Sequence, residues 1–225
     1  MHPAMEELQA KKIETTIENL RRNNMEAVFA KTKEEALSLV RGYLAPGCTV
    51  GVGGSVTLDE IGAIQLLRNG NYHFLDRYAE GLTQEERKLI FRQSLCCDVY
   101  LMSTNAVTET GALYNVDGNS NRVAALLYGP DSVVVVAGIN KIVSTVEDAV
   151  KRVKTTAAPA NATRLSCSTP CARTGKCVSL MRTGDDEICS GCAAEERICA
   201  NYVVCGRQRI PGHIKVILVG EALGF

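Results

Sequence analysis

The chain has 225 residues, 46% of them apolar, and its 25 Lys and Arg balance 25 Asp and Glu. That is enough for a full hydrophobic core without covalent staples, and zero net charge removes the main electrostatic reason to expect nucleic acid or an anionic membrane as partner. The opening stretch MHPAMEELQAKKIETTIENLRRNN has no apolar signal region, and no run reaches the ~18 apolar residues of a membrane span, so the expected compartment is the cytoplasm. Ten cysteines in that reducing setting point to metal ligation or redox chemistry rather than to disulfides.

Taken in chain order, the opening helix buries Ile13, Ile17 and Leu20 at helical spacing. Four pairs have the capping-box form, in which Ser or Thr and a Glu three residues later satisfy each other's orphan N–H groups: Thr32–Glu35, Thr57–Glu60, Thr83–Glu86 and Ser144–Glu147. Leu37, Val40 and Leu44 form an apolar stripe behind the first, and Val146, Ala149, Val150 and Val153 behind the last. Between the helices lie short apolar runs of strand length: Thr49–Val52, His73–Leu75, Val99–Met102, Ser132–Val136 and Lys215–Val219. Strands this apolar are covered on both faces, so the expected fold is an α/β sheet flanked by helices. From Thr155 to about Arg209 the rhythm breaks: a linker-like AAPANAT is followed by a cysteine-rich stretch. Because IKVILVG follows it and should rejoin the sheet, that stretch reads as a flap within one domain spanning residues 1–225.

The strongest chemical signal is CSTPCARTGKC…EICSGCAAEERICANYVVC, which holds seven of the ten cysteines, Cys167 to Cys205. A soft metal needs about four thiolates brought to one point, usually in pairs from tight turns. Spacing alone leaves zinc and an iron–sulfur cluster both open. Cys48, Cys96 and Cys97 adjoin strands and read as small core residues.

A second signal is VGVGGSVTLDEIG, where Gly53, Gly54 and Ser55 turn the chain from a strand into a helix. N–H groups at such a junction can cradle a phosphate or carboxylate, although the third glycine of a dinucleotide fingerprint and the lysine of a P-loop are both missing. The third is STNAVTETGALYNVDGNSNR, dense in hydrogen-bonding side chains. Thr104, Asn105, Thr110, Asn115, Asp117, Asn121 and Arg122 are its candidate ligand-binding residues. Glu109 is its candidate catalytic group, a nucleophile or base near a strand C-terminal end. DGNSN begins like a calcium loop, but Arg122 and Tyr128 stand where the glycine and glutamate belong. Asp117–Gly118 also fits a hairpin turn. His2, His73 and His213 are isolated in sequence and support no histidine-based triad.

VGGSVTLDEIG, NYHFLDRYAEGLT, STNAVTETGALYNVDGNSNRVAAL, INKIV, AAPANATR, TPCARTGKC, ERIC and VGEALGF together resemble the lactate-utilisation (LUD) domain family over nearly the whole chain. The resemblance implies a fold like the NagB, ribose-5-phosphate isomerase and CoA-transferase group, with residues 155–209 as a metal-binding segment. It also implies a part in oxidising lactate or a related organic acid alongside iron–sulfur partner proteins. Matched residue by residue, the family's cysteine pattern falls on Cys171, Cys177, Cys192 and Cys199, here with an insertion that adds Cys189 as a substitute ligand. The expected cofactor is then a 4Fe-4S iron–sulfur cluster, with zinc as the alternative.

Three functional expectations follow. The first is a redox-linked protein that takes a small organic acid or phosphate-bearing ligand over Gly53–Ser55 and residues 104–122, with Arg122 gripping a carboxylate. The second is a CoA-transferase- or isomerase-like enzyme that uses Glu109 and a structural metal. The third is a non-catalytic assembly or regulatory subunit, in which the flap docks partners or the chain pairs with itself as a homo-oligomer.

Overall fold

The apolar runs become the central strands of a parallel sheet. The computed structural model describes residues 2–183 and 187–225. In chain order the elements are α1 (Pro3–Arg22), β1 (Glu26–Ala30), α2 (Lys33–Gly42), β2 (Thr49–Val52), α3 (Val56–Glu60), α4 (Ala63–Asn69), β3 (His73–Phe74), α5 (Gln84–Gln93) and β4 (Val99–Met102). Then come β5 (Ala106–Thr108), β6 (Leu113–Asp117), α6 (Asn121–Leu127), β7 (Ser132–Gly138), β8 (Ile142–Val143), α7 (Val146–Arg152) and α8 (Ala158–Arg164). The chain ends with α9 (Pro170–Thr174), α10 (Val178–Thr183), β9 (Asn201–Cys205) and β10 (Ile214–Val219).

The main sheet runs β1-β10-β7-β4-β2-β3, and every pairing in it is parallel. Strand β10 lies between β1 and β7, so the last apolar run does return to the sheet after the flap. Alternate residues of β7 serve two cores: Val133 and Val135 pack on one face with Ile17, Leu20 and Tyr100, and Val134 and Val136 on the other with Val40, Leu58 and Leu101. Burial on both faces explains why these strands read as unbroken apolar runs. The architecture is a mixed α/β fold with a parallel sheet flanked by helices and a cysteine-rich region toward the C-terminus.

A second sheet, β8-β5-β6-β9, has no counterpart in the sequence reading. Strands β5 and β6 form an antiparallel hairpin, and β9 from the end of the cysteine region pairs antiparallel with β6. The hairpin turn is Glu109–Ala112, not Asp117–Gly118. Gly111 has φ +82°, and an added Cβ there would stand 2.4 Å from the Asn19 backbone of α1, so only glycine lets the turn dock so closely. Asp117 instead ends β6, and its Oδ1 accepts from the backbone N–H groups of Asn119 and Ser120 just before α6.

Capping departs from the sequence reading at two starts. Thr83–Glu86 forms the full reciprocal box. Helix α3 is capped by Ser55, which accepts from Leu58 N–H, while Thr57 is buried and bonds elsewhere. Helix α7 is capped one residue later than expected, by Thr145 with Asp148. The stretch AAPANAT is helical rather than a linker: a π-helical turn, Val153–Ala157, leads from α7 into α8. Pro159 sits in the first turn of α8, where its missing N–H is tolerated. Cys97 is a core residue, but Cys96 is exposed.

Candidate functional site

Three neighbouring strands, β2, β4 and β7, end at one polar cavity of about 440 Å³. This is where ligand sites gather in open α/β sheets. After β2 come Gly54 and Ser55, after β4 come Ser103, Thr104 and Asn105, and after β7 comes Lys141. Asp117, Asn121 and Arg122 line it from the β6–α6 side. Asn161 and Arg164 of α8, the 195–198 stretch of the flap, and Gly224–Phe225 complete the wall.

Much of this polarity is internally satisfied. Arg122 is the hub: its two terminal nitrogens donate to Ser103 O, Asn115 Oδ1, Asn105 Oδ1 and Val116 O at 2.6–3.1 Å, and Asp117 Oδ2 lies 3.6 Å from its Nε. The expectation that Arg122 grips a substrate carboxylate is therefore corrected, because these bonds hold the strand ends together. Gly53 does not line the cavity; a Cβ there would stand 3.0 Å from the Arg122 side chain. Asn115 is fully buried, and its Nδ2 has no partner among the described residues. Thr104 shares its hydroxyl proton between Ala106 O and Tyr114 O.

Two cations differ from this pattern. Arg77 lies beside Gly54 and stacks on the Phe91 ring at 4.5 Å, and among the described residues its guanidinium makes no hydrogen bond or ion pair. Lys141 is 2% exposed, and its Nζ donates to Thr57 Oγ1 and Ser103 Oγ, each at 2.9 Å. Burial, with the Arg152 and Arg122 charges nearby, pulls its pKa from the ordinary lysine value down to about 7. Neither residue was singled out from the sequence. The available signal was a lysine within the mostly apolar INKIV, shortly after a strand. That motif also holds the C-terminus: Asn140 donates to Gly224 O and accepts from Leu223 N–H.

Glu109 and Thr110 lie apart from the cavity, in the β5–β6 turn docked on α1. Glu109 Oε1 pairs with Lys12 Nζ at 3.0 Å and accepts from Ser144 Oγ at 2.9 Å. Partial burial works against its ionisation, but the Lys12 and Ser144 contacts outweigh it and hold the carboxyl below its ordinary range. Asn19 of α1 and Asn23, its C-cap, donate to the backbone carbonyls of residues 109–111, and the Thr110 hydroxyl bonds that of Thr108. From the sequence, Glu109 is expected in the same cleft as Gly54 and Arg122. The structure places it elsewhere, because the chain makes a hairpin between them.

The cysteines gather around a second, nearly closed cavity of about 20 Å³. Cys171, Cys177, Cys192 and Cys199 all line it, with Tyr114 and Lys154. Tyr114 is fully buried, and its hydroxyl has no partner among the described residues. Burial, reinforced by Tyr202, Cys189 and Cys199, raises its pKa, so it stays a donor. Burial also pushes the Cys199 thiol up despite Arg197, with Cys192 and Cys177 adding to the effect. Cys189 is exposed and outside the lining, and Cys205 packs in the main core. Four thiols and an orphaned hydroxyl on one space suit a soft, thiolate-seeking centre in kind. In spacing they do not yet form one, since no three His, Cys, Asp or Glu groups among the described residues are placed to hold a metal ion.

Arg197 links the two cavities. Its guanidinium donates to the carbonyls of Cys189, Cys192 and Cys199 and to Tyr202 Oη, while the residue also lines the polar cavity. Among the described residues no helix is long and apolar enough to cross a membrane.

No curated protein matches the chain. It is similar to the crystal structure of a DUF162 family protein from Deinococcus radiodurans, with 16% identity, a TM-score of 0.49, and coverage of 94% of this chain and 98% of that one. The model of the LUD domain matches residues 13–219, nearly the entire length. The chain belongs to the LUD domain family.

Proposed function

We propose that this protein binds a small organic acid in the polar cavity, as part of the utilisation of lactate or a related acid, and carries a soft metal centre at Cys171, Cys177, Cys192 and Cys199. The observation that carries the first half is the pairing of Arg77, without an acceptor among the described residues, with the Lys141 amine on one cavity of about 440 Å³. A carboxylate needs a fork of N–H donors, which Arg77 offers, and a neighbouring hydroxyl or carbonyl oxygen needs a donor, which Lys141 and Ser103 offer. The buried Arg122 network fixes the strand ends against which the ligand rests. Carboxylate–guanidinium bonds out of bulk water contribute about 1.5–3 kcal/mol, a tenfold or greater effect on affinity.

The second half is supported by the four thiols on one cavity and by the Tyr114 hydroxyl, a donor for a thiolate or sulfide. An iron–sulfur cluster bound there would supply one-electron transfer, and zinc would supply order alone. The transferase reading built on Glu109 gains nothing from the geometry, because its carboxylate is held by Lys12 outside the cavity.

Isothermal titration of the anaerobically purified protein with L-lactate and with pyruvate tests the site. The expected result is saturable binding that weakens at least tenfold in Arg77→Gln, with inorganic phosphate competing poorly. Binding unaffected by Arg77→Gln would contradict the assignment. Iron, zinc and acid-labile sulfide analysis of the same preparation tests the cysteine centre, and protein free of all three contradicts it.

A further inference from the structure

We propose that Lys141 is a nucleophile that captures the carbonyl carbon of a 2-oxo acid as an imine. The inference deepens the organic-acid reading above and rests on it. Lysines are almost never fully buried without a charge partner. Among the described residues Lys141, at 2% exposure, forms no ion pair, and its hydrogen-bond partners are the hydroxyls of Thr57 and Ser103. Hydroxyls hold an amine in place without neutralising its charge, and they serve a neutral amine as well as an ammonium. Burial, with the positive Arg152 and Arg122 nearby, favours the neutral form, which has the lone pair that nucleophilic lysines need.

The amine borders the polar cavity on one side and the Gly224 backbone on another. A Cβ at Gly224, with φ +55°, would lie 3.3 Å from Lys141 Nζ and 2.5 Å from Thr57 Oγ1. Glycine at that position lets the backbone pack directly against Thr57 and the amine, which leaves the cavity as the side from which a ligand reaches Nζ. Lys141 and Arg77 line the same cavity, and the proposal places the acid's carboxylate at Arg77 and its carbonyl at Lys141.

The step balances without an external oxidant or reductant. The Lys141 nitrogen attacks the carbonyl carbon, a C–N bond forms, and the carbonyl oxygen takes a proton that the nitrogen gives up. Ser103 Oγ, 2.9 Å from Nζ, is placed to relay it. The resulting carbinolamine expels its hydroxyl as water and leaves the imine. A 2-hydroxy acid lacks the carbonyl and cannot react, so this chemistry distinguishes the oxidised from the reduced acid in one site.

The test treats the full-length protein with pyruvate and sodium cyanoborohydride, then maps the product by intact and peptide mass spectrometry. The expected result is close to one reduced pyruvate adduct per chain, on the peptide carrying Lys141. Lactate with the same reductant should give none, and Lys141→Arg should lose the adduct. Pyruvate that binds by titration yet leaves Lys141 unmodified overturns the proposal and spares the organic-acid site. Adducts spread evenly over surface lysines overturn it as well. Absence of pyruvate and lactate binding altogether overturns both.

Discussion

The two cavities of this protein are built in opposite ways. The polar one rests on the ends of β2, β4 and β7, strands with apolar side chains at or near zero exposure. The cysteine cavity rests on α9, α10 and the 190–199 stretch, and among the described residues from 165 to 200 only Thr169, Cys177 and Ser179 are buried. A sheet with two apolar faces holds charged groups in fixed positions and can tolerate a cation as costly as Lys141. The flap lacks that burial, and bonds to carbonyls and thiols must order it instead. Fixed charge and soft donors thus occupy parts of the molecule with different sources of stability, joined through Arg197.

The largest effect should come from removing the hub of the sheet-borne cavity. Arg122→Met strips donors from Ser103 O, Asn105, Asn115 and Val116 O, and breaking such a buried network costs about 3–5 kcal/mol. Chemical denaturation should show that loss. A cost below about 1 kcal/mol would mean that the strand ends do not depend on the network.

Lys141 separates the regions by pH. Below about pH 7 the folded chain carries a charged, buried amine at full cost; between about 7 and the ordinary lysine value of 10.5 the folded amine is neutral while the unfolded one still holds its proton. The unfolded state then binds more protons, so stability rises with pH through that window, by at most about 1.4 kcal/mol per pH unit. Lys141→Met lacks this term. Its stability relative to wild type should therefore be better at pH 6 than at pH 9, and a difference independent of pH would refute the charge account.

Arg197→Ala should loosen the flap without touching the sheet. Losing its bonds to three cysteine carbonyls should cost about 1–3 kcal/mol and raise hydrogen exchange in residues 187–205, with 133–136 still protected. Chelation should give the same pattern if a metal is present. Uniform loss of protection would show that flap and sheet fold as one unit.

The smallest effect belongs to Glu109→Gln. Its pair with Lys12 is about one-third exposed, and such pairs contribute about 0.2–1 kcal/mol. Thermal melting should shift slightly, and ligand affinity should not change.

The main sheet was legible because Val133–Val136 and Ile214–Val219 are apolar at every position, a pattern that burial on both faces imposes. The four cavity-lining cysteines were legible through the family pattern. The second sheet was not. Its strands are short, β5 and β6 carry Thr108 and Asn115 inward, and β9 pairs with a strand more than eighty residues earlier, so neither period nor composition marked it. Missing the hairpin misplaced Glu109, and counting polar residues without their partners gave Arg122 to the ligand. Arg77 and Lys141 escaped notice because lacking a partner among the described residues, or having only hydroxyls there, is a property of the folded neighbourhood.

The central claim is that a small organic acid sits between Arg77 and Lys141, and a crystal structure of the protein grown with saturating pyruvate tests it most directly. The predicted result is density for the acid in the polar cavity, with its carboxylate within hydrogen-bond distance of the Arg77 guanidinium and its carbonyl carbon at Lys141 Nζ. Pyruvate bound in another part of the molecule, or an empty cavity under saturating ligand, would contradict the account.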